Sequence, residues 1–197
     1  MWPKLCVAFN ISIFDWGPET VAGQGRCRLN FAKLGLAQTV ELPDLATRWA
    51  TIINALQRDF VGERTAWVAV VYADWQAAFA PSPLTVLKLV DELRAKHDIA
   101  FAGLLVDTYT KSDKRLLDGL SVSELAALRV AAHERKLLFA VAGRLRLEDI
   151  AKLPPIEPDI VAIRSAACAD GSRMNSVQAE SVAGFKAELR RCFASKR

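Results

Sequence analysis

Several apolar runs of this 197-residue chain end on a residue able to do acid–base or anion chemistry. Lys33 follows Leu29-Asn30-Phe31-Ala32, and Asp74 follows Trp67-Val68-Ala69-Val70-Val71-Tyr72-Ala73. Asp107 follows Phe101-Ala102-Gly103-Leu104-Leu105-Val106, with Lys111 four residues on. Arg144 and Arg164 follow the runs 139–143 and 160–163. Lys33, flanked by Ala32, Leu34 and Leu36, is the kind of lysine that, withdrawn from water, forms an imine or takes up a proton. The alternative is a side chain that lies along the strand end and carries its ammonium into solvent. Asp107 and Lys111 read as a catalytic or binding pair, or as a structural ion pair, because a carboxylate ending so apolar a strand needs a partner. Asp74 either orients a lysine or caps the helix after it.

The arginines suggest an anion. Gly143-Arg144 combines a residue that lets backbone approach a ligand with a donor fork. Arg164-Ser165-Ala166-Ala167-Cys168-Ala169-Asp170-Gly171-Ser172-Arg173 is a small-residue loop bracketed by arginines. Such loops expose N–H groups, as a phosphate cradle requires, although the same composition suits a loop that merely turns. The predicted phosphate-binding set is Gly143, Arg144, Arg164, Ser165, Ala166, Gly171 and Arg173; the predicted catalytic set is Lys33, Asp74, Asp107 and Lys111.

Short, continuously apolar runs separated by helical patterns are the mark of buried parallel strands in βα units, whose C-terminal ends share one rim. Strands are predicted near 5–9, 29–34, 66–73, 101–107, 137–142 and 159–164. Between them, residues 43–60 carry a helical stripe of Leu45, Trp49, Ile52, Ile53 and Leu56. Ser82-Pro83 opens a helix as N-cap and first-turn proline, with Val86, Leu87, Leu89, Val90 and Leu93 as its buried face. Ser121-Val122-Ser123-Glu124 is a capping box. Residues 146–151 read as a short helix stopped by Pro154-Pro155. A last helix from about 176 is expected to bury Val182, Phe185, Leu189 and Phe193. Residues 10–28 carry turn signals and no legible helix.

The alternation predicts a single domain over 1–197 of the TIM-type (β/α)-barrel class. A closed barrel has eight strands, so the six found leave two readings: a barrel lacking two βα units, or an open, doubly wound sheet. Neither GxGxxG nor GxxxxGK[ST] occurs, which argues against the dinucleotide and P-loop versions of the open sheet.

Composition narrows the class further. Hydrophobic residues make up 52% and charged residues 24%, a globular balance. No apolar run reaches the ~18 residues of a membrane span, and the N-terminus lacks a signal-peptide pattern, so a cytoplasmic protein is expected. The net charge of +4 comes from scattered basic residues without an aromatic–basic motif. Small anions are therefore expected partners, and nucleic acid is not. Cys6, Cys27, Cys168 and Cys192 form no CxxC pair and read as free thiols, with no metal site. His97 and His133 read as solvated helix ends. No residue pattern calls for a cofactor.

Taken together, Ala32-Lys33-Leu34-Gly35-Leu36, Tyr72-Ala73-Asp74, Leu105-Val106-Asp107-Thr108 with Lys111, Leu116-Leu117-Asp118, Ala142-Gly143 and the Arg164–Arg173 loop resemble one family. It is the (5-formylfuran-3-yl)methyl phosphate synthase family, TIM-barrel enzymes that condense two molecules of glyceraldehyde 3-phosphate on the route to methanofuran. The resemblance implies a Schiff-base lyase of methanofuran- and tetrahydromethanopterin-linked one-carbon metabolism. It implies that Lys33 is the proton acceptor, that Asp107 and Lys111 are the family's Asp and Lys of a later strand, and that the 164–173 loop holds phosphate. The family opens with two further βα units, the first with an Asp-x-Lys-x-Pro motif whose lysine forms the imine. That motif is absent from this sequence. Ser165 also stands where the family usually has glycine.

Three accounts are open at this point: an N-terminally shortened synthase, missing units supplied by another chain, or a paralogue with altered chemistry. In the last account Lys33 or Lys111 takes over imine formation, or the protein only binds phosphorylated ligands. A homo-oligomer or a partner subunit is expected on the second, because an unclosed parallel sheet exposes edges and apolar surface.

Overall fold

In the computed structural model, the described residues are 8–12, 31–59, 65–110, 114–172 and 174–194. The strands are β1 (Ala8–Ser12), β2 (Phe31–Gly35), β3 (Ala66–Tyr72), β4 (Phe101–Asp107), β5 (Leu138–Val141) and β6 (Ile160–Val161). The helices are α1 (Leu45–Asp59), α2 (Pro83–His97), α3 (Leu116–Gly119), α4 (Val122–Glu134) and α5 (Ala179–Phe193). The strands lie side by side in chain order, β1 through β6, and every pairing is parallel. Each connection thus steps one strand over in the same direction. A doubly wound sheet reverses direction at a switch point, so that reading is excluded; the singly wound order is the one a barrel requires. β1 and β6 are the two ends of this sheet, not neighbours.

Strand alternation gives the sheet two unlike faces. Ala32, Leu34, Trp67, Ala69, Val71, Leu104, Val106, Phe139 and Val141 join the main core, where helices cover them with Trp49, Ile53, Val86, Leu93, Leu125 and Phe185. The opposite face carries a small separate cluster: Val70, Leu105 and Ala142, with Val68, Tyr72 and Ala140 packed against it. β4 satisfies both faces through a bulge. Trp67 pairs with Phe101 but Val68 pairs with Gly103, so Ala102 is an extra residue.

The helix signals act as read. Ser82 accepts from the Thr85 amide at 3.3 Å with Pro83 in the first turn, and α2 buries Val86, Leu87, Leu89, Val90 and Leu93. Ser121 and Glu124 close their capping box, the Ser121 amide donating to Glu124 Oε2 at 2.8 Å.

Some expectations are corrected and others refined. Lys33 does not end a strand: the ladder continues through Leu34 and Gly35, paired with Ala69 and Val70, and leaves Lys33 in mid-strand. β1 overlaps the expected 5–9 at residues 8 and 9 and runs on to Ser12, and residues 5–7 lie outside the described residues. The short helix expected over 146–151 is present as a 3-10 helix, Leu147–Lys152, ending before the two prolines. Val182 is 41% exposed; α5 meets the core from Phe185 onward, and the first turn lies beyond it. His133, in the last turn of α4 and part-exposed, has its Nε2 2.8 Å from Asp159 Oδ2, a partner the sequence did not show. Cys168 and Cys192 are free thiols, the first buried; Cys6 and Cys27 lie outside the described residues. Among those described, no helix is long and apolar enough to cross a membrane.

Candidate active site

Two of the predicted catalytic residues stand on the face of the sheet that is helix-free among the described residues, at different levels along the strands. Lys33 alternates with the core residues Ala32 and Leu34, so it stands on this face, in register with Asn10 of β1 and Val68 of β3. Asp107 closes β4 on the same face and pairs in register with Tyr72, the last residue of β3. Its Oδ1 accepts the Thr108 amide at 2.8 Å, which fixes how the chain leaves the strand. Lys111, the partner proposed from spacing, lies outside the described residues, as does Arg173.

Asp74 does not cap a helix with its side chain. It is 7% exposed, and its carboxylate reaches across to the segment after β4. Oδ1 accepts the Tyr109 amide at 2.8 Å, and Oδ2 accepts the Thr110 amide at 2.9 Å and the Thr110 hydroxyl at 2.6 Å. Burial pushes this carboxyl upward, but the Thr110 hydroxyl and the two amides outweigh it and hold the pKa below the ordinary 3.8. Asp74 is therefore a fixed anion that anchors the turn following Asp107.

The same turn is gripped from the other side by Gly143. At φ 96° it takes a conformation that suits glycine, and a Cβ there would lie 3.0 Å from Thr108 Cγ2 and 3.2 Å from the Thr108 nitrogen. Its carbonyl accepts the Leu116 amide at 2.9 Å. On the side where a Cβ would stand, Gly143 thus packs against Thr108 and Leu116. Arg115, just before α3, donates to the buried Asp149 carboxylate at 3.2 Å and ties this turn to the segment after Arg144. Arg144 itself is exposed, three residues past the end of β5.

The 164–178 segment folds on itself. Short 3-10 turns, Ser165–Ala167 and Ala169–Gly171, follow one another. The amides of Ala167 and Cys168 bond to the carbonyls of Arg164 and Ser165, that of Ala169 to Ser176, and those of Gly171 and Ser172 to Cys168 and Ala169. Gly171, at φ 65°, would place a Cβ in open space, so glycine answers there to backbone conformation alone. Among the described residues no cluster of His, Cys, Asp and Glu is arranged to hold a metal ion.

Two residues that sequence reading passed over also belong to this face. The Tyr72 side chain crosses from β3 over Gly35 of β2, where an added Cβ would overlap its hydroxyl. The Tyr72 and Tyr109 rings meet edge to face, with centroids 5.3 Å apart. A glycine inside a strand is the signal of such a close approach.

A singly wound parallel sheet, helices on one face and ionisable groups on the other, defines an α/β protein of the kind whose sites open at the strand C-termini. The chain belongs to the 4-HFC-P synthase family, whose model matches residues 18–186 and so spans every predicted site residue. It is 35% identical over 171 residues to a protein of Methanopyrus kandleri named (5-formylfuran-3-yl)methyl phosphate synthase, covering 85% of this chain and 69% of the relative. It is 29% identical over 186 residues to the protein of the same name in Methanosarcina barkeri, covering 92% of this chain and 76% of the relative. Among solved structures it is similar to a thiamine phosphate pyrophosphorylase from Pyrococcus furiosus, with 14% identity, a TM-score of 0.34 and 95% coverage of each chain. That likeness is too slight to carry an argument.

Proposed function

We propose that this chain is a synthase that condenses two molecules of glyceraldehyde 3-phosphate to (5-formylfuran-3-yl)methyl phosphate, in methanofuran-linked one-carbon metabolism. The observation that carries the reading is the placing of Lys33 and Asp107 on one helix-free sheet face, within a family match that spans both. In this reading the sheet is an arc of a TIM-type barrel and that face is its interior. Lys33 takes the proton that enolises an imine-bound triose phosphate; the enamine attacks the second aldehyde; phosphate and water leave as the furan becomes aromatic. Asp107 and Lys111 hold charge and protons beside the reacting carbons. Arg144, Arg164 and Arg173, with the amides of Ser165 and Ala166, receive phosphate. With Lys33 as the base, Lys111 is the candidate for the imine itself; borohydride trapping followed by peptide mapping tests this, and an adduct on Lys33 would instead give Lys33 the imine and leave the proton to another group.

The test is turnover of glyceraldehyde 3-phosphate by the purified chain, with the furan product followed by mass. Lys33→Ala is expected to lower the rate about 10²–10⁴-fold, the range of a lost general base. Unchanged turnover in this variant would overturn the assignment of Lys33, and no product from the unaltered chain would overturn the reading of the whole site.

A second reading has its own support. On the open face Leu138 is 45% and Ile160 37% exposed, and β1 and β6 end the sheet unpaired with each other. A partial barrel with such a face is completed by a partner subunit or a second copy. Sedimentation showing only a compact monomer at micromolar concentration would count against it.

A further inference from the structure

Tyr72 occupies a position that none of the assigned roles uses. It ends β3 between Gly35 and Asp107: its register partner is Asp107 on one side, and its phenol lies over Gly35 on the other. Gly35 is two residues beyond Lys33 on the same strand, so both stand on the same face. On this face Lys33 is level with Val68 and Gly103, and four residues nearer the strand C-termini Tyr72 is level with Asp107. The ring is held from above by Tyr109, whose amide is pinned by Asp74. The room for its hydroxyl exists only because residue 35 has no side chain: a Cβ there would overlap that oxygen and stand 2.9 Å from Cζ.

We infer that Tyr72 is a substrate-contacting residue, its phenol donating a hydrogen bond to an oxygen of the phosphorylated substrate on the Asp107 level, beyond Lys33 toward the strand C-termini, and that Gly35 is the positioning residue that lets it reach there. This rests on the helix-free face being the active site. A phenol suits the place because it donates without adding charge beside a carboxylate, and its rigid ring keeps the hydroxyl at one height above the sheet.

The two substitutions probe different things. Tyr72→Phe keeps the ring and removes the donor; Gly35→Ala keeps every polar group and displaces the phenol, in a strand that otherwise accepts alanine. The chain has only two tyrosines, Tyr72 and Tyr109. Ring-¹³C-tyrosine labelling therefore gives signals from this site alone, assigned by the loss of one set in Tyr72→Phe. The probe is glycerol 3-phosphate, which has the phosphate and hydroxyls of the triose but no aldehyde to form an imine. The Tyr72 signal is expected to shift saturably with the probe in the unaltered chain. It should start elsewhere in Gly35→Ala and respond weakly there. kcat/KM with glyceraldehyde 3-phosphate should fall about tenfold to a hundredfold in both variants, the range of a lost hydrogen bond to a charged or transition-state group. Turnover in the unaltered chain with full turnover in Tyr72→Phe, or probe binding seen by calorimetry with the Tyr72 signal unmoved, overturns the inference and leaves the proposed function standing. Neither binding nor turnover in the unaltered chain overturns both.

Discussion

Replacing Asp74 should loosen the turn that follows Asp107 while leaving the sheet intact. Its carboxylate accepts two amides and one hydroxyl from Tyr109 and Thr110, at 2.6–2.9 Å. A hydrogen bond to a charged acceptor contributes about 1.5–3 kcal/mol at full burial. The Tyr109–Thr110 side is only half-buried, so water replaces part of what is lost, and bonds sharing one acceptor are not additive. Asp74→Ala is therefore expected to cost about 2–4 kcal/mol. Asp74→Asn offers no refuge. Its oxygen can still accept from Tyr109, but its amide group then faces the Thr110 N–H, donor against donor.

The sign of the pH dependence follows from the carboxyl being held below 3.8 in the folded chain. A lowered carboxylate contributes stability above its unfolded pKa and loses it as pH falls through the folded one. The difference between the unaltered chain and Asp74→Ala should thus be constant near neutrality and shrink once pH drops below about 4. Urea midpoints across that range, with hydrogen exchange read at the Tyr109 and Thr110 amides, measure both effects. A difference as large at pH 3 as at pH 7, or unchanged exchange at those two amides, would refute the reasoning.

Two further variants test how the same turn is held from the opposite side. Gly143→Ala must place a side chain at φ 96° against Thr108, and is expected to cost about 2–3 kcal/mol in thermal or urea unfolding. Asp149→Ala removes a carboxylate that is 2% exposed, leaves the Arg146 amide without its acceptor and takes from the Arg115 guanidinium its nearest one, with Glu148 and Asp118 remaining. Because Arg115 can still reach water, a loss of about 2–3 kcal/mol is expected, and Asp149→Asn should recover part of it.

Local features were legible in the sequence because local physics makes them. Ser82-Pro83 and Ser121-x-x-Glu124 satisfy their own helix termini, and the spacing of Val86, Leu87, Leu89, Val90 and Leu93 is the buried face itself. The strands 66–73 and 101–107 were found nearly to the residue, since continuous apolar runs suit a buried parallel sheet. What escaped depends on partners distant along the chain. Asp74 meets a turn 35 residues away, and His133 meets Asp159 across 26. The packing of Gly143 on Thr108 appears only once β4 and β5 lie side by side. Lys33 looked like a strand end because the apolar run before it stops there, yet the ladder runs on to Gly35. In the folded chain that glycine is still strand, and its missing side chain is the space Tyr72 fills.

The extra residue in β4 gives the strand two parities. Counted strictly by alternation, Phe101 would share a face with Gly103, Leu105 and Asp107. Because Ala102 has no partner in the ladder, Phe101 instead enters the helix-covered core while Asp107 keeps the open face. Removing that one residue would force a choice between burying the aromatic ring and presenting the carboxylate. Any graft of this strand onto another scaffold must therefore carry the odd residue with it, whatever side chain stands there.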